Sequence, residues 1–510
     1  MKKSIGKAYI IGAGPGDPGL ITVKGLKLLK VADVIVYDHL VNQNLQKKKK
    51  NDAKKVDAGK QVGKKILEQK EINKLLVKEA KKGKVVIRLK GGDPFIFGRG
   101  GEEVEALAQN GIPFEVVPGV TSAVAVPAYA GIPLTQRGLA SSVALVTGHE
   151  DPTKEIPTVN FKKIAQSVDT LVCLMGVGEI DDIIKQIRDS GKSPETPVAV
   201  VERGTYSSQR VIQGKLKDIL PKARNARLKP PAVIIVGEVV GLRQTNLWFE
   251  SLPLFGKTVV VTRPKEQARP FTDLLEQAGA QVIPFPTIKV ATPGSFKSID
   301  KKINHIKEYD HLVFTSVNGV KAFISRMQRL RKDIRCLNGI KIAAIGEMTA
   351  HVLREHFLCP EIVPETFTSK HLANEFKKGD IKGKNLLLIR SELANDILPG
   401  QLRKMGASVD EVSAYTVRKA NVDSKKVKQL FRNHEIDLIT FTSPSTFTGF
   451  VSLMKGEPMA KLLKGVKVAA IGPVTRKEIT KQGIRVSITA LKHTVPGLVD
   501  AIIAYYQSGR

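Results

Sequence analysis

The chain has 510 residues, 42% of them apolar, and a net charge of +32, so it is long enough for several buried cores and is strongly basic. No apolar run is long enough to span a bilayer, and the start, MKKSIGKAYI, carries no sustained signal-peptide core. Three cysteines, Cys173, Cys336 and Cys359, form no C-x-x-C pair, which argues against a zinc site or disulfide framework and for a reduced cytoplasmic protein. Nucleic acid is the usual partner of such a charge, but the lysines are spread along the chain and aromatic residues make up only 5% of it. A base-stacking surface is therefore not expected, and a positive field serves equally to hold an acidic small molecule.

The first predicted strand, AYIIGA, runs into GAGPGDPG at residues 12 to 19. From Gly14 this loop fits the dinucleotide pattern G-x-G-x-x-G, and the next apolar run, VIVY, ends in Asp38, where such folds place a ribose-binding acid. A pyrophosphate needs free backbone N–H groups at the turn and at the helix start. Pro15 and Pro18 have none, and helical patterning resumes only after Thr22, the expected N-cap of VKGLKLLKVA. The pattern is read as a Gly/Pro ligand loop at a strand end and not as a nicotinamide-dinucleotide site.

A second such loop, RLKGGDPFIFGRGGEE at residues 88 to 103, follows the strand KVVIRL. Gly91 and Gly92 permit close backbone approach, Asp93 adds a carboxylate, and Glu102 and Glu103 suit the first turn of the next helix. A third loop, VVPGVTSAVA, offers the hydroxyls of Thr121 and Ser122 at another helix start. Three loops of this kind at strand ends in one domain predict a small-molecule site. His149 in TGHE is read as a polar surface contact. The further strands SVALVTG, TLVCLMG and AVIIVG complete an α/β alternation.

The pattern pauses at RQTNLWFESLPLFG and KTVVVTRP opens a new α/β series, which predicts domains at 1–245 and 257–510 joined by a linker at 246–256. The second domain repeats itself. FTSVNGV recurs as FTSPSTF, so that Thr442 follows Thr315 at the same interval at which Arg390 follows Arg263 and Gly406 follows Gly279. AAIGEMTA recurs as AAIGPVTR, with Gly472 following Gly346 at an interval shorter by a single position. A period this long means duplicated lobes with a cleft for a ligand, not a solenoid. At the repeat offset Tyr415 stands opposite Ile288; on the residues alone it reads as a strand-end tyrosine that has found a hydrogen-bond partner.

The stretches GAGPGDPGLITVKGLKLLKVADVIVYD, RLKGGDPFIFGRGGEE, PFEVVPGVTSAVAVPAYAGIPLT and PAVIIVGEVV resemble uroporphyrinogen-III C-methyltransferase over residues 4 to 245. From PLFGKTVVVTRP onward, FTSPSTF, AIGPVTR and the order of the blocks resemble uroporphyrinogen-III synthase. The resemblance implies a two-subdomain α/β methylase unit followed by a pair of similar α/β lobes, and the order of the blocks suggests that residues 257 to 287 join the C-terminal copy. It implies S-adenosylmethionine as methyl donor, contacted by Pro15, Gly91, Gly92, Asp93, Ile96, Thr121, Ser122, Met175, Gly204 and Ala232. Ser122 stands where that family often carries alanine. Asp38 matches the family's proton acceptor and Lys60 its donor.

For the second domain the resemblance implies closure of hydroxymethylbilane with inversion of one ring and no cofactor. Tyr415 would assist loss of the hydroxyl, and Thr315, Ser316, Ser443 and Thr475 are candidate cleft hydroxyls. The implied partners are acidic tetrapyrroles and a second methylase copy in a homodimer, with no membrane, no metal and no nucleic acid. The rival readings are a methylase of the same fold acting on another precorrin or on RNA, and a basic nucleic-acid-binding protein.

Overall fold

The computed structural model describes residues 5–45, 52–59, 68–149, 159–366, 368–377, 379–392, 394 and 396–508. The chain divides into two compact units, one of residues up to 258 with 275–281 and the segment from 503, the other of 259–274 and 282–502.

The first unit opens with β1 (Ala8–Gly12), β2 (Val34–Tyr37), β3 (Lys54–Asp57), β4 (Val86–Lys90) and β5 (Phe114–Val117), a parallel sheet in the order β3-β2-β4-β1-β5. The inner strands β1 and β2 read as apolar runs because both faces are covered, whereas the edge strand β3, KKVD, is polar. Ile10, Val34, Val36 and Val86 face one core with Leu76 and Leu107; Ile11, Ile35, Ile87 and Leu89 face the other with Leu29. A second sheet holds β6 (Val143–Thr147), β7 (Thr170–Leu174), β8 (Pro197–Glu202), β9 (Arg210–Lys215) and β10 (Ala232–Val236), in the order β6-β7-β10-β8-β9. Only β6 and β7 run parallel in it; β10 lies antiparallel to both β7 and β8.

Residues 246–256, expected to be a linker, are held on the first unit. Trp248 and Phe249 meet the Tyr129 ring edge-on, with centroids 4.9 and 4.7 Å away, and Trp248 Nε1 donates to Ala128 O at 2.9 Å. Glu250 accepts from Gln209 and Arg243 at 2.9 and 2.6 Å. Three aromatic rings and a buried-edge ion pair give this segment a reason to stay folded that its loop-like composition conceals.

The second unit is built on β11 (Thr258–Val261), β12 (Gln281–Pro284), β13 (Ile288–Ala291), β14 (His311–Phe314), β15 (Lys341–Ala344), β16 (Asn385–Ser391), β17 (Ser408–Lys419), β18 (Leu438–Phe441), β19 (Lys467–Ala470) and β20 (Ile488–Thr489). These form two sheets, β12-β11-β18-β19-β20 and β13-β17-β16-β14-β15. Each lobe therefore combines strands from both sequence copies: β11 and β12 leave the first copy to join β18 and β19, while β14 and β15 share a sheet with β16 and β17. This is the exchanged arrangement expected from the order of the blocks. Antiparallel β13 and β17 connect the lobes, and their register pairs Val290 with Val417. Those two valines are separated by the same interval as Arg263 and Arg390, so the repeat meets its own equivalent there, as a local twofold requires. Among the described residues no helix is long and apolar enough to cross a membrane.

Candidate functional site

The strands β4, β1 and β5 are neighbours, and the loops at their C-terminal ends are fastened to one another. Gly14 N donates to Gly92 O at 3.2 Å and Gly92 N returns a bond to Gly14 O at 3.0 Å. Both glycines have positive φ, +74° and +70°, a conformation that side chains resist. A Cβ on Gly12 would lie 2.5 Å from Gly119 Cα, and one on Gly119 would lie 2.4 Å from Gly92 O. Four glycines, Gly12, Gly14, Gly92 and Gly119, thus let three backbones touch. Asp93 completes the knot, its two oxygens accepting from Gly119 N at 2.9 Å and Phe95 N at 2.8 Å. Gly91 lies between β4 and this junction.

Thr121 caps the helix Ser122–Tyr129, accepting from Ala123 N at 3.3 Å, and Ser122 opens that helix. Gly92 faces this helix start, since a Cβ there would stand 3.7 Å from Ser122 N. Ile96 is exposed between the exposed rings of Phe95 and Phe97, an apolar trio at the rim of the junction.

The second sheet contributes from one end. Met175 follows β7, Gly204 follows β8, and Ala232 begins the antiparallel β10, opposite Glu202. Met175 is half-exposed with φ +55°, in the left-handed region, a conformation that costs a non-glycine residue on the order of 1–3 kcal/mol. Thr205, next to Gly204, donates to Pro15 O at 2.7 Å and accepts from Asp17 N at 3.2 Å. Gly204 also approaches the capped helix, where a Cβ would meet Val126 at 2.4 Å. The structure thereby brings Pro15, Gly91, Gly92, Asp93, Thr121, Ser122 and Gly204 into one set of touching loops. Lys60 lies outside the described residues.

Asp38 follows β2, its N–H donating to Leu89 O of β4 at 3.1 Å. Behind it lies a charge cluster that pattern reading missed. Arg88 ion-pairs Asp38 Oδ1 through Nη2 and donates Nε to Glu103 Oε1 at 2.7 Å. Lys90 Nζ and Gln69 Nε2 reach the same Glu103 oxygen, each at 3.2 Å. The side chains of Arg88, Lys90 and Glu103 are 3, 3 and 0% exposed, whereas that of Asp38 is 32% exposed. Among the charged side chains of this network, Asp38 is the one that opens outward. Burial works against the Arg88 charge, yet Asp38 and Glu103 carry its pKa above the ordinary value. Burial, reinforced by Arg88, pulls the Lys90 ammonium down.

Glu102 and Glu103 both lie in the first turn of the helix Gly100–Gln109, as their pattern suggests. Glu103 turns inward, because two cations on the buried strand β4 need an acid, and Glu102 takes the outward position, binding Arg99 at 2.7 and 2.8 Å. The sequence signal was present: Arg88 and Lys90 stand two apart in an otherwise apolar strand, on one face of it.

In the second unit the repeat places equivalent groups at the C-terminal ends of β14 and β18. Ser316 caps Val317–Arg329, accepting from Gly319 N at 3.1 Å. Ser443 caps Pro444–Leu453, accepting from Thr446 N at 3.2 Å, and shares a 2.9 Å bond with Ser445. Thr315 donates to Ile389 O at 3.1 Å. Thr475 is buried in its helix, as is its twin Thr349. Tyr415 lies in β17 opposite Ser391, half-buried against the core that contains Phe314 and Val412. Its hydroxyl makes no hydrogen bond with any described residue. Among the described residues no group of three or more His, Cys, Asp or Glu could hold a metal.

Residues 7–220 match the family model of Tetrapyrrole (Corrin/Porphyrin) Methylases, and residues 269–500 that of Uroporphyrinogen-III synthase HemD. The porphyrin biosynthesis protein HemD of Ruminiclostridium josui is 37% identical over 498 residues, 98% of each chain. The chain belongs to this family of fused tetrapyrrole methylases and uroporphyrinogen-III synthases. The fused protein is also similar to the uroporphyrinogen-III C-methyltransferase of Bacillus subtilis, 40% identical over 72% of this chain and 74% of that one. Its methylase region is similar to the S-adenosyl-L-methionine-dependent uroporphyrinogen III methyltransferase of Methanosarcina barkeri, 49% identical over 48% of this chain and 95% of that one. It is an enzyme of tetrapyrrole biosynthesis with a methyltransferase region and a synthase region.

Proposed function

We propose that the second unit closes hydroxymethylbilane to uroporphyrinogen III and that the first methylates this product twice, giving precorrin-2. The observation that supports the methylase reading best is the three-loop junction at β1, β4 and β5 with the open oxygen of Asp38 beside it. The glycine-lined backbone, the rim residue Ile96 and the hydroxyls of Thr121 and Ser122 suit a nucleoside, and the phosphate donors that Pro15 and Pro18 remove are not needed for it. Pro15, Gly91, Gly92, Asp93, Ile96, Thr121, Ser122, Met175, Gly204 and Ala232 would hold S-adenosylmethionine, whose sulfonium supplies an electrophilic methyl group. The protein then has two tasks, to align a pyrrole carbon with that methyl and to manage one proton. Asp38, oriented from behind by Arg88, accepts the proton, and Lys60 donates.

In the second unit Tyr415 is assigned to hydrogen-bond the departing hydroxyl of hydroxymethylbilane, with Thr315, Ser316, Ser443 and Thr475 as further hydroxyls and no cofactor. The free phenol of Tyr415 supports that role. The same reading takes 1–245 and 257–510 as the working domains, a homodimer through the methylase half, the cytoplasm as location, and acidic tetrapyrroles rather than RNA as the reason for the basic charge. Incubating the purified chain with hydroxymethylbilane and S-adenosylmethionine and identifying the tetrapyrrole tests it. Precorrin-2 is expected; the symmetric isomer alone, or no methylation, overturns it.

A further inference from the structure

The repeat of the second unit puts an arginine at one point of each copy, Arg263 after β11 and Arg390 near the end of β16. Their surroundings differ. Arg390 is buried and ion-paired to Glu411, with Asp396 at 3.4 Å, and Glu411 is shared with Arg403 at 2.7 Å. At the repeat offset the places of Glu411 and Asp396 are taken by Pro284 and Arg269, so neither acid that neutralises Arg390 has an equivalent in the first copy. Arg263 makes no hydrogen bond or ion pair with any described residue, and its buried Nε has no partner. Burial pulls its pKa down with no acid to offset it. Arg263 as a whole is part-exposed, but a guanidinium nitrogen cut off from both water and a partner is costly. The twin shows that this fold can neutralise the position, so a bare arginine here makes sense when an anion arrives from outside.

Its place in the fold agrees. Parallel β11 and β18 pair Val261 with Thr440, which sets Arg263 at the same sheet end as Ser443 and the helix it caps. Four residues on, Gln267 Nε2 donates at 2.8 Å to Asn318 Oδ1, on the helix that Ser316 caps in the other lobe. Arg263 is thus close in sequence to a point where the lobes touch. The strands that connect the lobes add an independent sign: Lys289 and Arg418 are paired directly across β13 and β17, both exposed. Like charges directly opposite destabilise a ladder, and an anion relieves them.

We propose that Arg263 is the carboxylate-binding residue of the second unit, taking an acidic arm of the linear tetrapyrrole. The assignment rests on the synthase reading above. It has a consequence for selectivity. A linear tetrapyrrole is nearly the same from either end, and two equivalent lobes would accept it in either direction. One lobe with a free guanidinium and one with a neutralised guanidinium give it a single orientation, as inverting one particular terminal ring requires.

The test compares Arg263→Gln and Arg263→Lys with the parent full-length chain. Uroporphyrinogen III formation from hydroxymethylbilane should show KM raised about tenfold or more in Arg263→Gln, with kcat changed less and most of the loss restored by lysine. The melting temperature of Arg263→Gln should equal or exceed the parent's, since no native partner is lost, while Arg390→Gln should lower it by orphaning part of Glu411. An unchanged KM, or a fall in melting temperature for Arg263→Gln like that of Arg390→Gln, overturns the assignment. If the parent itself forms no uroporphyrinogen III, the synthase reading fails on its own. Fluorescence titration with oxidised uroporphyrin III then decides for Arg263: weaker binding by Arg263→Gln upholds it and equal binding overturns it.

Discussion

The charges behind Asp38 and those around Arg263 are arranged in opposite ways. In the methylase region Arg88, Lys90 and Glu103 are sealed inside the protein with their partners, and one carboxylate, Asp38, emerges from the network. In the synthase region the corresponding cation is left without a partner at a sheet end, beside hydroxyls that cap helices. On the proposed function, the first arrangement holds a reacting group in one orientation before any ligand arrives, which is the use of preorganised charge in catalysis. The second leaves the last ion pair for the substrate to complete, which is the use of charge in binding and selection. A proton transfer needs the former; folding a flexible chain into one of two ring closures needs the latter.

Substitution of Asp38 tests the contrast most strongly. Asp38→Asn should keep S-adenosylmethionine affinity by calorimetry and lower methylation of supplied uroporphyrinogen III by about 10²–10⁴-fold. Parent turnover in this variant would make Asp38 a turn acid and the sealed network purely structural. The network itself is probed by Glu103→Leu, which leaves Arg88 and Lys90 buried without their shared acid. Breaking a buried pair in this way costs about 3–5 kcal/mol, so urea unfolding of the variant should shift by that order. A shift below ~1 kcal/mol would show that water or rearrangement replaces Glu103.

A smaller effect is expected at Tyr415. Tyr415→Phe should slow uroporphyrinogen III formation by less than the ~10²-fold lower limit of ordinary general acid help, because the hydroxyl of an electron-rich pyrrole leaves readily by itself. The isomer formed by the enzyme should not change, since the cleft and not the phenol sets the ring order. An undiminished rate would make Tyr415 a packing residue. The smallest effect concerns Glu79, a second buried acid, whose lysine partners reach the surface. Hydrogen bonds from Lys82, and then Lys84, bring its carboxyl down from 4.5 to about 2. A lowered folded-state pKa means that this contribution to stability is complete above pH 4.5 and disappears as the pH falls toward 2. Acid unfolding of Glu79→Gln should therefore be less steep than the parent's through that window, and identical curves would assign the acid dependence elsewhere.

Much of the architecture was legible before any coordinates. The constant interval of the repeat places β14 and β18, and β11 and β16, at equivalent points, and the loops after β1, β4 and β5 are the ones read as ligand loops from their glycines and prolines. Proline lacks a donor and glycine lacks a Cβ in any fold, so such readings survive folding. Glu103 does open the next helix as its pattern suggests, but its inward ion pairs were not legible, because their partners, Arg88 and Lys90, act from another element. The segment 246–256 reads as a tether because its composition says nothing about the Tyr129 ring that receives Trp248 and Phe249.

Periodicity, turn chemistry and the internal repeat, properties of neighbouring residues, determined the α/β class, the duplicated lobes and the three glycine-bearing loops at strand ends. The tertiary structure decided which distant groups meet: Gly14 with Gly92, Pro15 with Thr205, Arg88 with Asp38, and Val290 with its own repeat equivalent Val417. It also decided that Arg390 finds acids while Arg263 finds none. Such encounters depend on strand order and on burial, which makes an unpaired charge costly, and strand order is set by the packing of whole sheets rather than by the residues beside any one of these groups.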